Sequence, residues 1–360
     1  MINVTKTYLP DKAKFQVYLD QIYASGWLTN NGALLLRLEE ELKKFLNAEY
    51  VILTVNGTCA LQLAYKMLGL TGEVITTPFT FVATISSLVW EGLTPVFVDI
   101  DEDTLNIDAY KIREKITDKT SAILPVHVFG NVCNVKKIGQ IASEHNLKVV
   151  YDAAHAFDVQ LGNHNVSKFG DIAVYSFHST KIFHTIEGGA IVVKSKELYD
   201  KGLLMRNFGI PGYDRITELG VNYKMNEFQA AMGLCVLDDF KGISIERKEV
   251  FNRYLRAFRD QKKVRLQQVN EEVSRNYSYF PIIFENEGKL MEVKERLNLD
   301  AIYPRRYFYP SLNELPYLKD KQSVPIAESI ARRILCLPLF HDLDPGIQDK
   351  IIETVNMYSL

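Results

Sequence analysis

Residues 175–192 read YSFHSTKIFHTIEGGAIV. An apolar run breaks into hydroxyls, imidazoles and one lysine, passes a Gly-Gly pair and returns to Ala-Ile-Val-Val. Lysine is ordinarily a surface residue whose ammonium stays in water. Lys181 instead sits between two segments whose composition is that of buried strands. An amine held there is a candidate for covalent or proton-transfer chemistry rather than for a solvated face.

The surrounding sequence supports that placement. Short apolar runs at 50–55, 73–76, 96–99, 122–126 and 148–152 alternate with helical patterns at 59–68, 82–90 and 135–145. An amphipathic helix, RLEEELKKFL, precedes them at 37–46. Runs this short and this apolar predict strands buried on both faces of a mostly parallel α/β sheet, with ligands bound beyond the strands' carboxyl ends. After Lys224 the character changes. Met225, Phe228 and Met232 predict one helix and a charged segment at 245–259 a second; VRLQQV and YFPIIF read as strands, with helices near 291–297 and 347–358. The expected organisation is a large domain with an N-terminal arm over 1–240 and a smaller α+β domain over 241–360.

Composition narrows the function classes. The chain has 360 residues, 47% hydrophobic and 24% charged, with a net charge of -2. That balance gives no electrostatic case for nucleic acid or an anionic membrane. No apolar run approaches the ~20 residues of a membrane helix, and MINVTKTYLPDKAKF lacks a signal-peptide core, so a cytoplasmic location is expected. Cys59, Cys133, Cys235 and Cys336 show no C-x-x-C spacing, and the seven histidines form no H-E-x-x-H pattern, so no metal site is predicted.

Two further stretches carry chemistry. In VNGTCALQLA, 55–64, a strand runs through Asn56-Gly57-Thr58 into a helix. Helix N-terminal N–H groups beside the Thr58 hydroxyl make a phosphate cradle, although a plain N-cap has the same composition. The Walker lysine is missing, and no G-x-G-x-x-G follows the first strand. In KVVYDAAHAF, 148–157, Asp152 closes an apolar strand and His155 follows three residues later. A lysine, a strand-end carboxylate and a phosphate anchor are together what a pyridoxal phosphate enzyme requires.

With these residues assembled, the chain closely resembles the DegT/StrS family of nucleotide-sugar aminotransferases, which have the aspartate-aminotransferase fold (fold type I). SGWLTNNG, NGTCALQLA, TPFTFVATISSL, PVHVFGN, DAAHAF, SFHSTKIFHTIEGG, NYKMNEFQAAMG and LPLF occur in the family's order over nearly the whole length. The resemblance implies that Lys181 carries pyridoxal 5'-phosphate through its ε-nitrogen and that Asp152 pairs with the ring nitrogen. Phe81 and His155 would lie against the two ring faces. Gly57, Thr58 and Ser176 would bind the phosphate, and Asn222 would reach it from the neighbouring subunit of a homodimer. Retention of lysine, where some relatives have histidine and deoxygenate, implies transamination from L-glutamate. Trp27, Leu28 and Thr29 match a loop near the substrate. The segment YPRRYFYPSL, 303–312, resembles members that make nucleotide-linked 4-amino-4,6-dideoxyglucose; Arg305, Arg306 or Tyr309 is expected on the sugar-nucleotide side, and dTDP-4-keto-6-deoxyglucose is the expected acceptor, for O-antigen supply. Amination at C3, a pyridoxal-dependent sugar dehydratase and a regulatory cofactor-binding protein are the alternatives. Lys224 departs from the arginine usual in the family and loses its bidentate geometry.

Overall fold

The computed structural model describes residues 1–212 and 214–358. Seven strands, β1 (Tyr50–Thr54), β2 (Glu73–Thr76), β3 (Thr94–Phe97), β4 (Thr120–Leu124), β5 (Lys148–Asp152), β6 (Ile172–Ser176) and β7 (Gly189–Val193), form one sheet in the order β1-β7-β6-β5-β4-β2-β3. All pairings are parallel except those of β7, which runs antiparallel to both neighbours.

Helices α1 (Lys12–Ser25), α2 (Ala33–Leu46), α3 (Gly57–Met67), α4 (Val82–Trp90), α5 (Val135–His145), α6 (Lys196–Arg206) and α7 (Glu227–Phe258) cover both faces. Side chains alternate across a strand, so each strand feeds two cores. Ile52, Val74, Val150, Val174 and Ile191 pack with Leu61, Leu88 and Met205 of α3, α4 and α6. Their neighbours Val51, Ile75, Val149, Ala173 and Val192 pack with Leu38, Ile138 and Leu234 of α2, α5 and α7. Burial on both sides is why these strands read as unbroken apolar runs.

The two helices expected around residues 225–259 are a single 32-residue helix, α7, opened by a capping box between Asn226 and Gln229. No proline interrupts it. Gly233 lies where α7 crosses α2, and a Cβ there would sit 2.7 Å from Leu38 Cδ2. The expected boundary near 240 therefore falls inside a helix rather than at a linker. Residues up to Ile243 serve the large-domain core, and Val250 onward serves a C-terminal core. That second core lies against strands β8 (Val264–Leu266), β9 (Phe280–Phe284) and β10 (Ile334–Leu337), with helices α8 (Glu287–Leu299) and α10 (Pro345–Tyr358), while α9 (Pro325–Arg333) turns Ala327, Ile330 and Ala331 into a different apolar cluster. The first residues of the arm join the C-terminal part too: Ile2–Asn3 pairs in parallel with Ile302–Tyr303.

A shared apolar cluster joins the two parts, with Phe79 and Phe129 packing against Phe308 at centroid separations of 5.5 and 5.6 Å. The carboxyl ends of β1, β5 and β6 and the start of β7 meet just in front of it.

Candidate active site

A cavity of about 390 Å³ opens at those strand ends, between the large domain and the 305–308 segment. That volume suits a cofactor-sized ligand. Gly57, Thr58, Phe81, Asp152, His155, Ser176, Lys181 and Arg305 all line it.

Its phosphate end follows from how β1 enters α3. Asn56 caps the helix by accepting the Cys59 N–H at 2.8 Å. The Gly57 and Thr58 N–H groups and the Thr58 and Ser176 hydroxyls carry no hydrogen bond to any described residue. Such free donors at a helix start attract a dianion. A Cβ at Gly57 would lie 2.8 Å from Ser176 Cβ, so only glycine lets the helix start approach the end of β6 this closely. Gly189 answers a similar constraint: a Cβ there would stand 2.6 Å from the Asn56 carbonyl oxygen.

Asp152 ends β5 as a buried carboxylate. Its Oδ2 accepts the Thr84 hydroxyl at 2.8 Å and its Oδ1 accepts the Ala154 N–H at 3.0 Å. Burial raises its pKa above the ordinary carboxylate value, against these bonds and the nearby Lys181 charge. A buried carboxylate of this kind gains most from a cationic N–H partner such as a pyridinium.

His155 is neutral, because burial holds its pKa well below the usual imidazole value. Its Nδ1 accepts the Phe129 N–H at 3.3 Å, which assigns the proton to Nε2. Phe129 adopts φ 56°, a left-handed conformation rare for a bulky residue, and the ring beneath stacks on His155 with an interplanar angle of 6°. Phe81 stands at the N-cap of α4, 48% exposed, with its ring on the cavity wall.

Lys181 follows β6 in a turn closed by its own N–H donating to the His178 carbonyl at 2.8 Å. Burial pushes its pKa from 10.5 down to about 8, with the Asp152 charge opposing. Its amine is therefore far more available at neutral pH than that of a surface lysine. His184 has its Nε2 against the Tyr8 carbonyl at 2.8 Å. His178 faces Glu187 at 3.5 Å.

Other expected residues lie outside the cavity of the single chain. Trp27 and Leu28 are exposed in the link between α1 and α2, where the Leu28 carbonyl accepts the Glu227 N–H; Thr29 is exposed beside them. Asn222 is exposed in an isolated bridge with Asn207. The 303–312 segment predicts that Arg305, Arg306 or Tyr309 faces the cleft, and of these Arg305 lines the cavity of the single chain. Arg306 is turned away by Glu287 at 2.6 Å and the Arg332 carbonyl at 2.9 Å, and the Tyr309 ring covers its guanidinium. Lys224 is spent on Asn207 Oδ1 at 2.8 Å.

Sequence reasoning missed Thr84, Tyr279, Tyr307 and Phe308, which also line the cavity. Thr84 follows Phe81 by one helical turn, a spacing that puts both on one face of α4. Nothing local marks Tyr279, which lies 98 positions from the lysine it meets.

A phosphate cradle, a buried carboxylate, a neutral ring-stacking imidazole and a depressed lysine fit pyridoxal phosphate in each of its parts. With the parallel sheet and the smaller C-terminal domain, they define a pyridoxal phosphate-dependent transferase of fold type I. The profile of the DegT/DnrJ/EryC1/StrS aminotransferase family matches residues 10–356, and the chain belongs to that family. It is 43% identical over 359 residues to the dTDP-4-amino-4,6-dideoxy-D-glucose transaminase of Shigella dysenteriae, covering 98% of each chain. The Escherichia coli enzyme of the same name is 40% identical over 363 residues, covering 97% of this chain and 96% of that one. Among solved structures, DesI in the presence of its TDP-sugar product superposes with a TM-score of 0.92 at 33% identity, covering 99% of this chain and 92% of that one.

Proposed function

We propose that this aminotransferase moves the amino group of L-glutamate to dTDP-4-keto-6-deoxy-D-glucose, giving dTDP-4-amino-4,6-dideoxy-D-glucose for O-antigen or related polysaccharide synthesis. The observation that carries the choice of sugar is the 43% identity, end to end, with the Shigella dysenteriae transaminase of that name.

The residues divide the work. Thr58, Ser176 and the N–H groups that open α3 hold the cofactor phosphate. Asp152, oriented by Thr84 and Ala154, keeps the ring nitrogen protonated. Phe81 and His155 confine the ring from its two faces, and the neutral His155 adds no charge that would compete with Asp152. When bound, the cofactor supplies an electron sink for the pair left behind as the donor's α-proton departs. Lys181, released when the donor amine takes its place, would be the base that removes that proton from the donor's α-carbon, and in the second half-reaction the acid that delivers a proton to the sugar carbon receiving the amine. Arg305 carries no ion pair among the described residues, so its guanidinium is available to the anionic nucleotide end.

A homodimer with shared sites is part of this reading. Asn222 is exposed outside its own cavity, and Phe208, Ile216, Leu219 and Val221 around it form an exposed apolar surface suited to a second copy. No helix among the described residues is long and apolar enough to cross a membrane, and a cytoplasmic location goes with the expected substrates.

The test is direct. Glutamate should bleach the long-wavelength absorbance of the purified holoenzyme, and the 4-keto dTDP-sugar should restore it, with NMR locating the new amine at C4. Amination at C3 of a 3-keto sugar instead would replace the acceptor. Loss of water without net amino transfer would make the protein a dehydratase, and an unchanged spectrum would leave a binding role.

A further inference from the structure

Tyr279 reaches the cavity from the domain opposite to Lys181. It is 6% exposed, and its hydroxyl lies 3.4 Å from Lys181 Nζ, its hydrogen-bond partner among the described residues. Nζ also stands 5.9 Å from the ring centroid. The ring packs on His155 at 4.6 Å and meets Tyr307 edge-on at 5.6 Å.

Its position is fixed from two further directions. Asn276 Nδ2 donates to the His155 carbonyl at 2.8 Å and the Phe157 carbonyl at 2.9 Å, while its Oδ1 accepts the Ser278 N–H at 3.2 Å. Arg247 of α7, itself buried, donates Nε to the Tyr277 carbonyl at 3.0 Å and Nη2 to the Ser278 carbonyl at 2.7 Å. Burying a guanidinium against carbonyls is costly, and here it clamps the two peptide units that lead into Tyr279. Tyr277 is held at φ 55°, a conformation that a bulky residue adopts only when its surroundings impose it. A tyrosine whose only task was packing would need neither the clamp nor the strained residue.

The geometry points to Tyr279 as the partner of the Lys181 amine: its oxygen accepts from the ammonium and its O–H donates to the free amine, so the amine stays aimed into the cavity in both proton states. The inference rests on Lys181 being the cofactor lysine. A phenol suits the task because burial raises its pKa and keeps it uncharged over the working range. A carboxylate there would fix the lysine as an ammonium, and an alkyl group would release it.

The test compares wild type with Tyr279→Phe, which keeps the ring. In the apoprotein, the pH profile of Lys181 reductive methylation, read by peptide mass spectrometry, gives the amine's midpoint. Charge-assisted bonds outweigh neutral ones, so losing the phenol should lower that midpoint by roughly half a unit or more. In the holoenzyme, the glutamate half-reaction should slow about tenfold or more, with glutamate affinity changed less than about twofold and a larger isotope effect from α-deuterated glutamate. Asn276→Ala, which leaves the phenol but loosens its tether, should move the isotope effect in the same direction and serves where the phenylalanine variant does not accumulate. An unmoved midpoint together with an unmoved isotope effect would overturn the inference. If wild-type Lys181 does not carry the cofactor at all, the functional reading fails first, and the two failures are thereby told apart.

Discussion

Replacing Lys181 with methionine keeps an unbranched side chain only one atom shorter and removes its charge, which turns the depressed pKa into a stability measurement. In the apoprotein burial holds the lysine's pKa at about 8, against its ordinary 10.5. At 1.36 kcal/mol per unit, holding the ammonium in the folded cavity costs about 3 kcal/mol, and remaining contact with water brings the expectation to about 1–3 kcal/mol. The sign follows from the direction of the shift. Below pH 8 both folded and unfolded chains carry the proton, and the folded chain bears the whole cost. Between about pH 8 and 10.5 the folded chain releases its proton first, so wild-type stability rises with pH across that window.

Lys181→Met removes both the cost and the rise. Urea unfolding of the two apoproteins, at one fixed protein concentration, should show the variant more stable by about 1–3 kcal/mol at pH 7 and by less than about 1 kcal/mol at pH 10, with equal m-values. A variant no more stable at pH 7, or one with the same advantage at both pH values, would refute the desolvated-amine argument.

Gly57→Ala drives a Cβ to 2.8 Å from Ser176 Cβ, so the helix start must withdraw from β6; absorbance titration of the apoprotein with pyridoxal phosphate should show affinity lowered about tenfold or more. Thr84→Val removes the 2.8 Å donor from Asp152, raising further a carboxyl that burial has already raised. The acid limb of the half-reaction's pH–rate profile should move to higher pH, with a loss of about tenfold in rate from a charged hydrogen bond of about 1.5–3 kcal/mol. Away from the site, Glu39→Ala strands Arg206, whose Nη1 donates to Glu39 Oε1 at 2.7 Å in the core. A loss of about 3–5 kcal/mol by urea unfolding is expected, and Glu39→Leu with Arg206→Met should recover most of it.

The residues legible from sequence are those whose local pattern carries their geometry. Asp152 ends an apolar run, so its place at the sheet's ligand edge follows from the parallel-sheet rule alone. Gly57 and Thr58 sit between a strand and a helix, and Lys181 between two strands. The direction of β7 was not legible: AIVV has the composition of a buried strand whichever way it runs, and the antiparallel pairing comes from the short return after Lys181. The unity of α7 was hidden by a change of core partway along one helix, which alters the apolar pattern without breaking the backbone. Tyr279 read as part of an ordinary strand because its partner is brought to it by domain packing. Arg306 and Arg305 are adjacent in sequence, and only the placement of Glu287 on α8 separates a paired arginine from one facing the cavity.

Borohydride reduction of the yellow holoenzyme, followed by proteolysis and peptide mass spectrometry, examines the attachment on which the rest depends. The pyridoxyl group should be found on the Lys181 ε-nitrogen in a single peptide, and Lys181→Met should yield no labelled peptide. A label on another lysine, or a wild-type digest with none, would contradict the account.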